Sequence, residues 1–136
     1  MYACVFNLYK MSDLHSSALI EQLRQILGAN HVLTEGDLSN YEQDWRKRSR
    51  GKALAVVRPA NTEEVSAIVK ACANARVSIV PQGGNTGMAG GGTPHEDGRE
   101  IVLSLTRMNR ILDVDPIGYS MTVEAGVILK IGRAHV

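Results

Sequence analysis

Six of the thirteen glycines in this chain fall between Gly83 and Gly92. They sit inside the run Pro81-Gln82-Gly83-Gly84-Asn85-Thr86-Gly87-Met88-Ala89-Gly90-Gly91-Gly92-Thr93-Pro94, which is framed by prolines and carries no charged side chain. Glycine admits positive φ angles and lacks the Cβ that would hold a ligand away from the main chain. Successive N–H groups in such a turn converge into a nest for an anion. Asn85, Thr86 and Thr93 offer side-chain donors beside it. The chemistry suggested is hydrogen bonding to phosphate oxygens, strengthened by their charge. A flexible surface loop is the plain alternative, but such loops usually carry Ser and charge. Two familiar phosphate motifs do not fit. Asn85, Thr86, Ala89 and His95 interrupt any G-x-G-x-x-G, and Thr93 stands where a Walker pattern needs Lys after Gly87 and Gly92.

Other reactive residue types give less. Cys72 falls on the apolar face of a helical pattern, where a core position outweighs a reactive thiol. His15, His31 and His95 share no ligand spacing, and Cys4 and Cys72 form no metal pair, so no metal site is expected. Two cysteines make no disulfide framework, which points to a reducing, cytoplasmic setting. Arg46-Lys47-Arg48 beside Trp45 has the look of a nucleic-acid patch, but a net charge of +1 favours a solvated face. No apolar run approaches a membrane span.

The elements around the glycine run follow from periodicity. Leu14, Ala18, Leu19, Leu23, Ile26 and Leu27 recur at helical spacing, with Ser12 or Asp13 as N-cap and Gly28 as the stop. A short extended piece is expected near His31, then a polar stretch to Gly51. Residues 53–58 read as a buried strand stopped by Pro59. Asn61 and Glu64 stand at capping-box spacing before a helix whose face is Val65, Ile68, Val69, Cys72 and Ala73. Residues 77–80 read as a second strand ended by Pro81, and the strand–helix–strand order makes the two strands parallel. Residues 101–105, 111–114 and 120–124 are three further strands. The turn Asp115-Pro116-Ile117-Gly118 pairs the last two antiparallel.

At 136 residues, with 44% apolar and 21% charged residues, the chain is sized for one globular domain with an aliphatic core. Both ends look foreign. Met11-Ser12-Asp13 reads as a more natural start than Met1, leaving residues 1–11 as a tail. Ile131-Gly132-Arg133-Ala134-His135-Val136 is what a common sequencing adapter encodes in one frame, followed by a stop codon; the preceding adapter bases complete a codon for Lys130. The expectation is a partial domain over residues 12–129, a non-native tail over 130–136, and a true protein that continues.

A resemblance joins these pieces. Val57-Arg58-Pro59-Ala60-Asn61-Thr62-Glu63-Glu64-Val65, the glycine run, Ser104-Leu105-Thr106-Arg107-Met108-Asn109, and Thr122-Val123-Glu124-Ala125-Gly126 resemble the FAD-linked oxidases of the vanillyl-alcohol oxidase/p-cresol methylhydroxylase superfamily. The likeness is greatest to the branch with D-2-hydroxyglutarate and D-lactate dehydrogenases and the flavin subunit of glycolate oxidase. The resemblance implies an α+β fold: a small parallel β-α-β lobe, then the start of a second, antiparallel lobe of the p-cresol methylhydroxylase type. It implies FAD, with Pro81, Gln82, Gly83, Gly84, Asn85, Thr86, Gly87, Gly90, Gly91 and Thr93 lining its site. Ser104, Met108, Glu124, Ala125 and Gly126 are weaker candidates near it. Some relatives bind flavin covalently through a His just after the paired glycines. Asn85 stands there in this chain, so dissociable FAD is expected. The activity implied is oxidation of a D-2-hydroxy acid, with electrons leaving to a carrier acceptor rather than NAD. Substrate-gripping and catalytic residues would lie beyond position 129, and none is assigned here. The alternative is a non-catalytic nucleotide-binding module.

Overall fold

The computed structural model describes residues 16–128. In chain order these form helix α1 (residues 16–27), a 3-10 turn (Ala29–His31), β1 (Val32–Leu33), the short helix α2 (Ser39–Glu42), β2 (Ala53–Val57), helix α3 (Thr62–Ala75), β3 (Ile79–Gln82), β4 (Glu100–Ser104), β5 (Ile111–Asp115) and β6 (Ser120–Val123). The first four strands make one sheet in the order β1-β2-β4-β3. β1 is antiparallel to β2, while β2 and β3 both run parallel to β4. β5 and β6 form a separate antiparallel ribbon, as the Asp115 turn predicts. Asp115 Oδ1 accepts the N–H groups of Ile117 and Gly118, each at 2.9 Å, which closes that turn.

The two middle strands are apolar on both faces, which is what a central parallel strand requires. One face of the sheet presents Ala55, Val57, Ile101 and Leu103 to α1 and α3. The opposite face presents Val56, Val80 and Val102 to Leu33, Leu38 and Tyr41. Leu23, Ile68 and Ile101 are fully buried; each such side chain contributes about 2 kcal/mol of transfer free energy. In α1 the stripe is Leu19, Leu23 and Leu27, at strict four-residue spacing, and Ala18 faces solvent. That differs from the sequence reading, which placed Ala18 on the apolar face. Leu14 and the caps Ser12 and Asp13 lie outside the described residues.

Helix α3 starts as its sequence predicts. The Asn61 carboxamide oxygen accepts the Glu64 N–H at 2.8 Å. Glu64 reaches back one residue further than the usual box, to the N–H of Ala60 at 2.7 Å. The helix ends at Arg76, which takes the left-handed conformation (φ 55°) without the usual glycine.

One expectation holds with an addition, and one changes. β2 and β3 are parallel but do not touch, because β4 enters between them. Its buried residues Ile101 to Ser104 need a neighbour on either side, and the edge position would leave them wet. Pro81 also does not end the second strand, since β3 runs through it to Gln82. The carbonyls of Ser78 and Gln82 both point to β4, accepting from Ile101 and Leu105 at 2.9 Å. Pro81 therefore directs its missing donor outward, where an edge strand tolerates proline.

Among the described residues no helix is long and apolar enough to cross a membrane, and no three His, Cys, Asp or Glu side chains gather as a ligand set. Cys72 is fully buried in the α1–α3 layer, and burial pushes its thiol up to about 11. In a Cys4→Ser background, Cys72 should therefore resist iodoacetamide at pH 8 until denaturant is added. Rapid labelling of the native chain, followed by mass spectrometry, would contradict its core position.

Candidate functional site

β3 ends at Gln82, and irregular backbone follows until β4 begins at Glu100. The Gln82 side chain is buried and holds this connection closed. Its Nε2 donates to the carbonyls of Gly92 at 2.8 Å and Tyr41 at 3.0 Å. Within the connection, the Thr93 N–H donates to the Gly90 carbonyl at 3.0 Å. Asn85 adopts the left-handed region (φ 52°), which Asn tolerates better than most residues. Its Nδ2 donates to the carbonyls of Gln43 at 2.8 Å and Asn40 at 3.1 Å. The Asn85 carboxamide thus grips the end of α2, and its donors are not offered to a ligand as the sequence reading supposed.

The glycines divide into two kinds. Gly90 has a positive φ of 79°, and in the run from 81 to 94 only it among the glycines uses that freedom. At Gly83, Gly84, Gly87 and Gly91 the φ angles are ordinary, and an added Cβ would meet no atom of the protein closer than 3.9 Å. The fold leaves space for side chains there, so protein packing does not account for glycine. Each missing Cβ leaves the main chain at the carboxyl end of a parallel strand open to an approaching ligand. Gly83, Gly84, Thr86, Gly87 and Gly91 are exposed, whereas Asn85, Gly90 and Thr93 are half-buried. These residues fit a diphosphate.

The weaker candidates lie around the base of the segment. The Ala125 carbonyl is 3.9 Å from the Cβ position of Gly83, so the turn after β6 borders the run. Gly126 is glycine for a different reason: a Cβ there would run into the carbonyl oxygen of Leu105. Its N–H donates to the Met108 carbonyl at 2.8 Å. Met108 is buried, and buried Ser104 pairs its hydroxyl with Thr106 at 3.2 Å. Glu124 is committed to Arg110. Its Oε1 accepts from Arg110 Nη2 at 2.6 Å and Nε at 2.9 Å, and its Oε2 accepts the Arg110 backbone N–H at 2.9 Å. Those bonds hold the Glu124 carboxyl below its ordinary range.

One element escaped the sequence reading. Buried Asp44 accepts the N–H groups of Arg48 at 2.6 Å and Ser49 at 2.8 Å through Oδ1, closing residues 44–49 into a loop. The Ser49 N–H is the main cause of its lowered pKa. This gives Asp44 a structural role. The signal was an Asp four and five residues before the amides it caps. A hollow of about 390 Å³ lined by Thr34, Glu42, Arg50 and Lys52, among others, shares no residue with the glycine segment.

Open main chain after a parallel strand, with an antiparallel ribbon beside it, suits a ligand that carries phosphate. Residues 53–131 match the family described as FAD binding domain, and the chain belongs to that family; its cofactor is FAD. The D-2-hydroxyglutarate–pyruvate transhydrogenase of Saccharomyces cerevisiae is 38% identical over 110 residues, covering 79% of this chain and 22% of that protein. The mitochondrial D-2-hydroxyglutarate dehydrogenase of Arabidopsis thaliana is 36% identical over 112 residues, covering 82% of this chain and 20% of its own length. The chain thus spans about a fifth of these relatives. Among solved structures, p-cresol methylhydroxylase with substrate bound superposes with a TM-score of 0.67 at 27% identity, over 83% of this chain and 22% of that one. A cytoplasmic location does not stand, since the Arabidopsis relative is named as mitochondrial. Scarce cysteine speaks only to disulfide formation and does not separate the cytosol from an organelle interior.

Two glycine substitutions should separate fold from ligand. A Cβ at Gly51 would run into the Pro94 carbonyl, so Gly51→Ala should lose about 2 kcal/mol of stability. Gly91→Ala should melt like the parent yet bind FAD at least tenfold more weakly, roughly what one blocked phosphate contact costs. Equal melting temperatures for both variants would contradict the division. Asp44 gives a pH signature. Its folded pKa is depressed, so its contribution is complete above the unfolded value and is lost as pH falls through the folded one. The stability gap between parent and Asp44→Ala, from urea titrations, should therefore close on acidification below the ordinary carboxylate range.

Proposed function

We propose that this chain is the FAD-binding part of a flavin-dependent dehydrogenase that oxidises a D-2-hydroxy acid of the D-lactate, D-2-hydroxyglutarate or glycolate class. The observation that carries this reading is the set of four glycines whose Cβ positions are empty of protein. They follow a parallel strand in a chain whose curated relatives are named for D-2-hydroxyglutarate chemistry. Bound FAD supplies a hydride acceptor at the flavin N5. The residues of this chain bind and orient it. Main-chain groups from Gly83 to Gly91 take the diphosphate, with Pro81, Thr86 and Thr93 at the margin. Gln82 holds the segment closed, and the turn at Ala125 borders it. The cofactor is held non-covalently, because Asn85 lacks a nucleophile and its side chain faces α2. No substrate-gripping residue or catalytic base is assigned within residues 12–129, and electrons leave to a separate carrier acceptor.

The full-length protein should purify yellow and bleach anaerobically on addition of D-lactate or D-2-hydroxyglutarate. A colourless protein that takes up no FAD would sink the reading; one that binds ADP but never bleaches would make it a non-catalytic nucleotide module. The 136-residue chain by itself should show negligible turnover and, by isothermal titration, only weak FAD binding. A submicromolar dissociation constant would overturn that expectation.

A further inference from the structure

The segment from 81 to 94 carries no charged side chain, yet a dinucleotide diphosphate is a dianion. Main-chain N–H groups answer part of that charge. Any full positive charge would come from another element. The segment is fastened to one such element. Asn85 bonds the carbonyls of Asn40 and Gln43, and a Cβ at Gly90 would lie 3.4 Å from Ser49 Oγ. Between these two points of contact, residues 43–50 form a closed loop. Gln43 and Arg50 bridge as antiparallel neighbours. The Asp44 N–H donates to the Ser49 carbonyl at 3.0 Å, and the Asp44 carboxylate caps Arg48 and Ser49.

The tip of this loop is Trp45, 68% exposed, followed by exposed Arg46, Lys47 and Arg48. None of these three cations takes part in an ion pair among the described residues. A run of surface cations usually does no more than keep a face solvated. Here the loop is held shut by a buried carboxylate, joined to the glycine segment by the Asn85–Gln43 hydrogen bond, and close to that segment at Ser49. We propose that residues 44–49 form a second wall of the nucleotide site. Arg46, Lys47 and Arg48 counter the diphosphate, and Trp45 lies along the nucleotide. Gln82 and Asn85 are positioning residues that hold this wall in place. The proposal rests on the FAD reading of the glycine segment and adds a charged element to it.

Trp45 is the sole tryptophan of the 136-residue chain, so its emission reports on this loop alone. ADP is the suitable probe, because it carries the diphosphate and does not absorb tryptophan emission. Saturating ADP should shift Trp45 emission to the blue and shield it from acrylamide. A chain carrying Arg46→Gln, Lys47→Gln and Arg48→Gln together should bind ADP about tenfold more weakly at low salt, given three exposed charge contacts. Its affinity should also fall less with added salt. Unchanged circular dichroism would confirm that the variant is folded. ADP binding at parental affinity and salt dependence by that variant, or Trp45 emission blind to saturating ADP, would overturn the proposal while leaving the glycine segment intact as the phosphate site. Absence of ADP binding by the parent chain at millimolar concentration would overturn both readings together.

Discussion

The geometry of the site depends on one buried carboxamide. Gln82 commits both hydrogens of its amide, one to Gly92 across the glycine segment and one to Tyr41 at the end of α2. A buried donor left without a partner costs about 1–3 kcal/mol. Gln82 is therefore stable inside only if the segment folds back and α2 packs against it. The same residue closes β3 onto β4 through its carbonyl, which accepts from Leu105. Sheet, glycine segment and short helix meet at this side chain. Asn85 repeats the arrangement three residues later. Between them the two amides occupy the carbonyls of Asn40, Tyr41 and Gln43, groups that a helix end leaves without intrahelical donors.

Close approach of backbones fixes the rest of the site. Gly51 lies against the Pro94 carbonyl and Gly126 against that of Leu105, both too near for a Cβ. The first contact brings the chain entering β2 beside the end of the glycine segment. The second anchors the β5–β6 ribbon on the turn after β4, where Arg110 and Glu124 add an ion pair at 2.6 Å. Glycine at these two positions serves the fold. Glycine at 83, 84, 87 and 91 has no such account within the protein, and that contrast is the ground for proposing the ligand surface there.

Much of this was legible in the sequence where the determinants are local. The Asn61–Glu64 cap, the α3 face, the Asp115 turn and the position of the glycine run all follow from residues a few places apart. The order of strands did not, because β4 enters the sheet through pairings across about twenty to fifty residues. The extent of β3 was misread because the outward direction of Pro81 depends on which neighbour it acquires. The Asn85 side chain was assigned to phosphate on chemical type, and only the placement of α2 shows that its hydrogens are already taken. The role of Asp44 was missed because its partners are main-chain amides, and the only signal is its spacing of four and five residues from them.

Pro81 has a consequence beyond the cofactor site. The four-stranded sheet has two borders, β1 and β3. An uncovered border is a template on which further strands can add without limit, the first step toward fibrils. β1 offers only two residues for such growth. β3 turns toward solvent a residue that has no hydrogen to donate, in the middle of its ladder. The sheet is thus blunted at both margins, and a proline that begins the phosphate segment also guards this domain against polymerising through its own backbone.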